Sequence, residues 1–285
     1  MKSFQKPKYL DVLILSVFTI LITLHPYYLH GEINCYELGI YLPGVNALLD
    51  GQIPYRDFFH LRGPLELYVP AFLMSLFGEN VAVLATYFYV GSVVTLLVGI
   101  WIAKNVYRTR FVLYLMVPVL IGRTFPRVVF TYWGGMRYAL GLLTVLCAVC
   151  FLKRQKFRWI IFSGMATVLS GLTSIEVGTC AFAGVVITLG MGWLIKVYDR
   201  HFIAKSFSRY VLGIAILAVP YLIYLFLTHS LFAYFESTWA VITGMTKVFP
   251  DRLLGHYPGS FIEILQAMFP WDPFFKLLTP AYCYL

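Results

Sequence analysis

The residues able to do chemistry gather in a few short stretches of this 285-residue chain. The first stretch carries His25, His30, Glu32, Glu37, Arg56, Asp57, His60 and Arg62. Imidazole and carboxylate groups ligate metals, so the three histidines beside Glu32 and Glu37 could hold a cation, although their spacing is irregular. Asn34-x-x-Glu37 also fits a capping box, in which Glu37 closes the first turn of a helix and needs no catalytic role. Asp57 could pair with Arg56 or Arg62 simply to fold the loop. A second stretch sets Arg123, Arg127 and Arg137 among aromatic residues; these guanidinium groups could bind phosphate or neutralise lipid headgroups. In the third, Thr173-Ser174-Ile175-Glu176, the carboxylate is placed to meet the positive end of a helix. An outer-face carboxylate beside a membrane helix is also a functional candidate. Cys147-x-x-Cys150 has the spacing of a redox pair, but it sits inside an apolar run and reads as two small packing residues.

The elements that must position these groups are set by composition. Hydrophobic residues make up 60% of the chain and charged residues 12%, against about 25% charged in soluble domains. So few charges cannot coat a water-soluble globule of this size. A soluble enzyme, a nucleic-acid binder and a disordered chain are thereby excluded, and the net charge of +9 is not read as a nucleic-acid footprint. The five cysteines do not form a disulfide framework, because three lie in apolar runs. The basic N-terminus leads into an apolar run without a small-residue cleavage site, which reads as an uncleaved first span.

A span needs roughly 20 apolar residues, with about 17 as a minimum. Segments 9–29, 81–103, 106–122, 138–152, 159–175, 177–198 and 210–228 meet or approach this, so the expectation is an all-α integral membrane protein of about seven transmembrane helices. The third segment is the shortest, and Arg108 and Arg110 must snorkel from it. With the N-terminus cytoplasmic, 14 of the 22 Lys and Arg residues lie in inner segments and 7 in outer ones, as the positive-inside rule requires. Nine of the 13 acidic residues fall on the outer side, so any chemistry is expected to face outward. Small residues at four-residue spacing (Cys180, Gly184, Thr188, Gly192; Ser163, Thr167, Gly171) predict close helix packing. Residues 1–285 read as a single membrane domain, with no internal repeat of the kind common in carriers.

Residues 30–80 form the long first outer loop. Leu38, Tyr41, Leu42, Val45, Leu48 and Leu49 follow a helical period, which predicts an amphipathic helix on the membrane surface. Asp50-Gly51 ends it as a turn, Ile53-Pro54-Tyr55 reads as extended, and Pro64 opens a second apolar helix running to about Gly78.

The run Glu37-Leu-Gly-Ile-Tyr41, then Ala47-Leu-Leu-Asp-Gly-Gln-Ile-Pro-Tyr-Arg-Asp-Phe-Phe59, then Arg62-Gly-Pro-Leu65 resembles the first outer loop of GT-C glycosyltransferases. Within that superfamily it is most similar to the group holding protein O-mannosyltransferases and the lipid A aminoarabinose transferase. The resemblance covers about 30 residues and implies a sugar donor carried on polyprenyl phosphate, with an acceptor of unknown kind such as lipid, glycan or protein. It implies Glu37 as general base toward the acceptor and Arg62 as the clamp on the leaving phosphate. Asp57 would support Arg62 or Arg56, or help hold a divalent cation; no other cofactor is implied. Two departures stand out. The family's acidic pair is reduced to Glu37 alone, and Met136-Arg137 stands where many relatives place a carboxylate. The chain ends in an apolar stretch, so further spans are expected beyond it. The rival readings are a flippase or transporter of a lipid-linked anion, and a non-catalytic membrane subunit retaining the loop.

Overall fold

The computed structural model describes residues 6–24, 35–60, 62–107, 109–115 and 136–248. Among these residues the secondary structure is helical, with a single isolated bridge between Pro54 and Phe58. The helices are α1 (Tyr9–Thr23), α2 (Cys35–Leu49), α3 (Leu65–Phe77), α4 (Val81–Val106), α5 (Arg137–Arg154), α6 (Phe157–Thr173), α7 (Ile175–Leu194), α8 (Arg200–Leu227) and α9 (Leu231–Val248). The chain divides at Tyr234 into two units, and the candidate site lies in the first.

Local chemistry sets the boundaries. The Asn80 side chain accepts from the Ala82 N–H at 2.9 Å to start α4, and Asp199 accepts from the Phe202 N–H at 2.8 Å to start α8, both ordinary N-caps. Pro64 precedes α3 and Gly78, at φ +94°, ends it. Gly51, at φ +82°, makes the turn after α2 that an L side chain would strain. The extended reading of Ile53-Pro54-Tyr55 is corrected: Tyr55 has φ +69° and its N–H donates to the Phe58 carbonyl at 2.9 Å, a tight loop. Helix α9 begins in what the sequence reading treats as an outer loop, because its mixed apolar and polar residues lack a span's hydropathy.

Three of the helices, α4, α7 and α8, are long and apolar enough to cross a membrane. Helix α1 has 15 residues and α6 has 17, or about 22 and 25 Å at 1.5 Å per residue, against a hydrocarbon core of about 30 Å. Helix α5 has the length but carries Arg137, Lys153 and Arg154 at its ends. The exposed residues of α8 include Leu212, Ile216, Val219, Ile223 and Phe226. Such a face costs nothing in lipid and is a liability in water. Of the weak third segment, residues 110–115 are helical and 116–122 lie outside the described residues. Arg110 does not snorkel away but pairs with the fully buried Asp11 of α1 at 2.6 Å, and Tyr114 donates to the same carboxylate at 3.1 Å.

Helix α6 is the centre of the bundle, packed on α5, α7 and α8. A Cβ on Gly164 would sit 2.3 Å from the Tyr210 carbonyl oxygen, and one on Gly213 2.1 Å from that of Ile161, so α6 and α8 touch backbone to backbone. Ser163 donates to the Thr144 carbonyl at 3.0 Å, and Thr167 shares a 2.8 Å hydrogen bond with Tyr210. The expected stripe of Cys180, Gly184 and Thr188 is corrected: all three are exposed, and α7 instead buries Gly178, Ala181, Val185, Leu189 and Gly192. Four-residue spacing fixes a stripe's pitch but not which neighbouring stripe meets the bundle. Cys147 and Cys150 are buried free thiols, consistent with packing. Helix α2 turns Tyr41 and Val45, both fully buried, into a core shared with Leu67, Ala71 and Met74 of α3 and Leu84 and Phe88 of α4.

Candidate functional site

The loop between α2 and α3 is held first by Asp57. Its carboxylate accepts from the Ile53 N–H at 2.7 Å and pairs with Arg56 through two contacts of 2.8 Å. Those bonds hold the Asp57 carboxyl down at about 2. Asp57 therefore serves the fold of its own loop, one of the two roles its sequence position left open, and its partner is Arg56 rather than Arg62. The loop is next fastened to the bundle. The Tyr55 hydroxyl donates to the Arg62 carbonyl at 2.9 Å, and the Gly63 N–H donates to the Thr173 carbonyl at 3.1 Å. A Cβ on Gly63 would lie 2.1 Å from the Leu172 carbonyl oxygen, so only glycine fits this approach.

That contact carries Arg62 to the junction of α6 and α7. Its guanidinium lies 3.5 Å from Glu176, whose other oxygen accepts from Ser174 Oγ at 2.5 Å. Arg62 is nearly enclosed at 13% side-chain exposure, whereas Glu176 is 55% exposed. Beside Arg62, His60 is buried; loss of hydration, with the nearby Arg62 charge, pulls its imidazole down to about 4. It is neutral at physiological pH. Its ring meets the edge of Tyr41 at 5.9 Å.

The structure adds Glu66, which the sequence reading counts only as one of the outward carboxylates. Glu66 is 0% exposed and accepts from the Met136 N–H at 3.1 Å. Arg137, the next residue, is also buried and acts electrostatically on both Glu66 and Glu176. The Tyr87 phenol is hydrogen-bonded to Glu66, and Tyr41 acts on it electrostatically. These polar groups, drawn from the loop and from α2, α3, α4, α5 and α7, make up a polar circuit in which Arg62 pairs with Glu176, Arg137 acts electrostatically on Glu176 and Glu66, Tyr87 bonds Glu66, and the His60 ring meets Tyr41. Within it His60 Nε2, Glu66 Oε2 and Arg137 Nε are buried with no hydrogen-bond partner among the described residues. Buried polar atoms left unpaired call for an explanation such as a catalytic role, water or an ion.

Of the sequence candidates, Arg62, Arg137, Glu176 and His60 come together, while Arg56 and Asp57 form a separate, partly exposed pair. Glu37 lies in α2, but its side chain, like Arg123, Arg127, His25, His30 and Glu32, lies outside the described residues. No three His, Cys, Asp or Glu side chains converge on a possible cation among the described residues, and Asp57 is already spent on Arg56 and Ile53. The divalent-cation expectation therefore finds no ligand set there. A signal for Glu66 was available: it stands in the stripe Glu66, Pro70, Met74 that α3 buries, where a charge is out of place.

Burial pushes the Glu66 carboxyl up to about 8, outweighing the opposing pull of Arg137 and the Met136 N–H. In the unfolded chain the group ionises at about 4.3. The folded state therefore holds the extra proton between those two values, and stability, full below the lower one, falls as pH rises toward the higher. The unfolding midpoint in detergent is expected to drop between pH of about 5 and about 8. Glu66→Gln, neutral throughout, should flatten that slope. An unchanged slope would show that Glu66 is ionised in the fold.

Compared with protein-family profiles, with characterised proteins and with solved structures, the chain matches none.

Proposed function

We propose that this chain is a GT-C-like membrane glycosyltransferase. In this reading it has about seven spans, a cytoplasmic N-terminus and a site facing outward across the cell membrane of a prokaryote. The acceptor hydroxyl attacks the anomeric carbon of a polyprenyl-phosphate-linked sugar as Glu37 takes its proton. The bond from that carbon to the phosphate oxygen breaks, and polyprenyl phosphate leaves with the bonding electrons. Arg62 receives the developing phosphate charge, because a planar guanidinium can grip two oxygens at once. Arg137, at the head of α5, adds a second positive charge.

One observation carries this reading: the Gly63 contact with α6 seats Arg62, the loop's basic residue, in a mostly buried polar circuit at the α6–α7 junction. A cation needs such enclosure to act strongly on a leaving phosphate, since water would screen it. A non-catalytic subunit is the second reading, and the engagement of Asp57 by Arg56 favours it.

The test uses membranes containing the full-length protein and labelled polyprenyl-phosphate sugars. The wild type is expected to release free polyprenyl phosphate, and Glu37→Gln at equal expression to lose that release. Equal release by both would take Glu37 out of catalysis and leave it a helix-capping residue. No release from any donor would favour the accessory subunit.

A further inference from the structure

The turn after α5 and the turn before α8 meet at one end of the bundle. Gln155 Nε2 donates to the Tyr198 hydroxyl at 3.1 Å across the two turns, and Phe151 stacks on Phe202 at 5.7 Å beside them. Residues 153–158 and 196–209 hold eight Lys and Arg residues and one carboxylate, Asp199, which is engaged as the N-cap of α8. None of the eight makes an ion pair among the described residues. Like charges gathered at the end of an apolar bundle repel one another, and an anion is the complement they lack. Their depth follows from α8. From Tyr210 to Leu227 that helix carries no charge, a length of about 27 Å at 1.5 Å per residue, close to a hydrocarbon core of about 30 Å. Arg209 and the cations before it therefore stand at headgroup level. Beside them Trp193, Leu194, Ile195 and Val197 are 51–64% exposed, which suits a lipid interface and not bulk water.

One place at this end is built for a ligand and not merely charged. Arg154 closes α5, Arg158 lies in the first turn of α6, and their guanidinium carbons sit 5.4 and 5.7 Å from the centre of the Trp159 ring. A single indole thus holds two exposed cations by cation–π attraction. The Trp159 Nε1 beside them is buried and has no hydrogen-bond partner among the described residues, so a donor goes unmet there. One turn along α6 toward the apolar interior, Phe162 is 48% exposed and meets Trp159 edge-on at 6.2 Å. We propose that this place binds an anionic phospholipid, with its phosphate between Arg154 and Arg158, the Trp159 N–H donating to a phosphate or glycerol-ester oxygen, and an acyl chain lying on Phe162. Head and chain in one ligand satisfy the cations, the orphaned donor and the exposed ring together, whereas a free phosphate leaves Phe162 uncovered. The length of α6, about 25 Å, separates this site from Arg62, so it does not rest on the transferase reading.

The test is native mass spectrometry of the full-length protein released from detergent and titrated with phosphatidylglycerol or phosphatidylcholine. One phosphatidylglycerol is expected to be retained tightly. Phosphatidylcholine, whose own cation cancels its phosphate, should be retained far more weakly. Arg154→Gln combined with Arg158→Gln should weaken phosphatidylglycerol retention about thirtyfold, roughly fivefold for each cation removed beside a lipid surface. Lys196→Gln combined with Arg200→Gln removes the same charge from the neighbouring turn and should leave retention unchanged. Trp159→Phe keeps the ring without the donor and should weaken retention by itself. Equal retention of the two lipids by the wild type overturns the proposal without any variant having to fold. Equal losses in the two double variants would show diffuse charge attraction and no site. Displacement of the lipid by excess inorganic phosphate would show that the ligand is a free anion, which also overturns it.

Discussion

Gly63→Ala is expected to undock the loop between α2 and α3 and to cost more stability than any other single methyl added to this loop. The new Cβ would lie 2.1 Å from the Leu172 carbonyl oxygen and 2.8 Å from the Thr173 carbonyl carbon, and main chain cannot swing aside as a flexible side chain can. Overpacking costs about 1–3 kcal/mol where side chains can adjust, and a backbone-on-backbone contact belongs at or above the top of that range. The loss reaches beyond the methyl. Displacing Gly63 breaks its hydrogen bond to Thr173 and pulls Arg62 from Glu176, opening the buried circuit to water. Thermal unfolding in detergent should show a lower midpoint, and amide exchange across residues 62–67 should quicken. Gly39→Ala, with nothing within 4 Å of the new Cβ, is the matched control. Equal stability and equal exchange in Gly63→Ala would mean that the loop is not fastened there.

Arg62→Ala is expected to lower release of polyprenyl phosphate by about 10²–10³-fold, the usual loss when a preorganised donor to developing negative charge is removed. Arg62→Lys should recover part of that, since it keeps the charge but not the two-point grip. Glu176→Gln separates this role from loop fastening. If Arg62 exists to bind phosphate, Glu176 competes with the phosphate for it, and Glu176→Gln should leave release unchanged or tighten donor binding. A loss in Glu176→Gln equal to that of Arg62→Ala, with the same fall in stability, would reduce the pair to a fastening.

The helical class and most helix positions were legible in the sequence, because each rests on signals a few residues apart. Asn80 and Asp199 cap the helices they precede, Gly51 and Gly78 end helices at positive φ, and α4, α7 and α8 announce themselves by apolar length. Helix α9 was missed because its apolar residues are diluted below that threshold. The stripe on α7 was displaced because every face of a helix surrounded by lipid and protein is apolar, so hydrophobicity alone cannot pick the packed one.

The candidate site was legible only in part. Glu176 and Arg137 stood out as charges at the ends of apolar segments, which is a local property, and Arg62 stood out by the resemblance of its loop. Glu66 and the Met136 N–H are 70 residues apart, and Arg62 and Glu176 are 114 apart. No local pattern links such pairs. Asp57 shows the converse. Its sequence neighbours Arg56 and Arg62 offered two partners, and the tight turn at Tyr55 chose Arg56.

What the sequence determined by itself was a loop of carboxylates and arginines between apolar helices, since hydropathy, caps and turns act over a few residues. What only the tertiary structure decided was which charges meet. The close approach of Gly63 to α6 brings Arg62 to Glu176, and burial raises the Glu66 carboxyl against the pull of Arg137. The first is a matter of backbone sterics and the second of desolvation, and both are properties of the packed neighbourhood and of no residue alone.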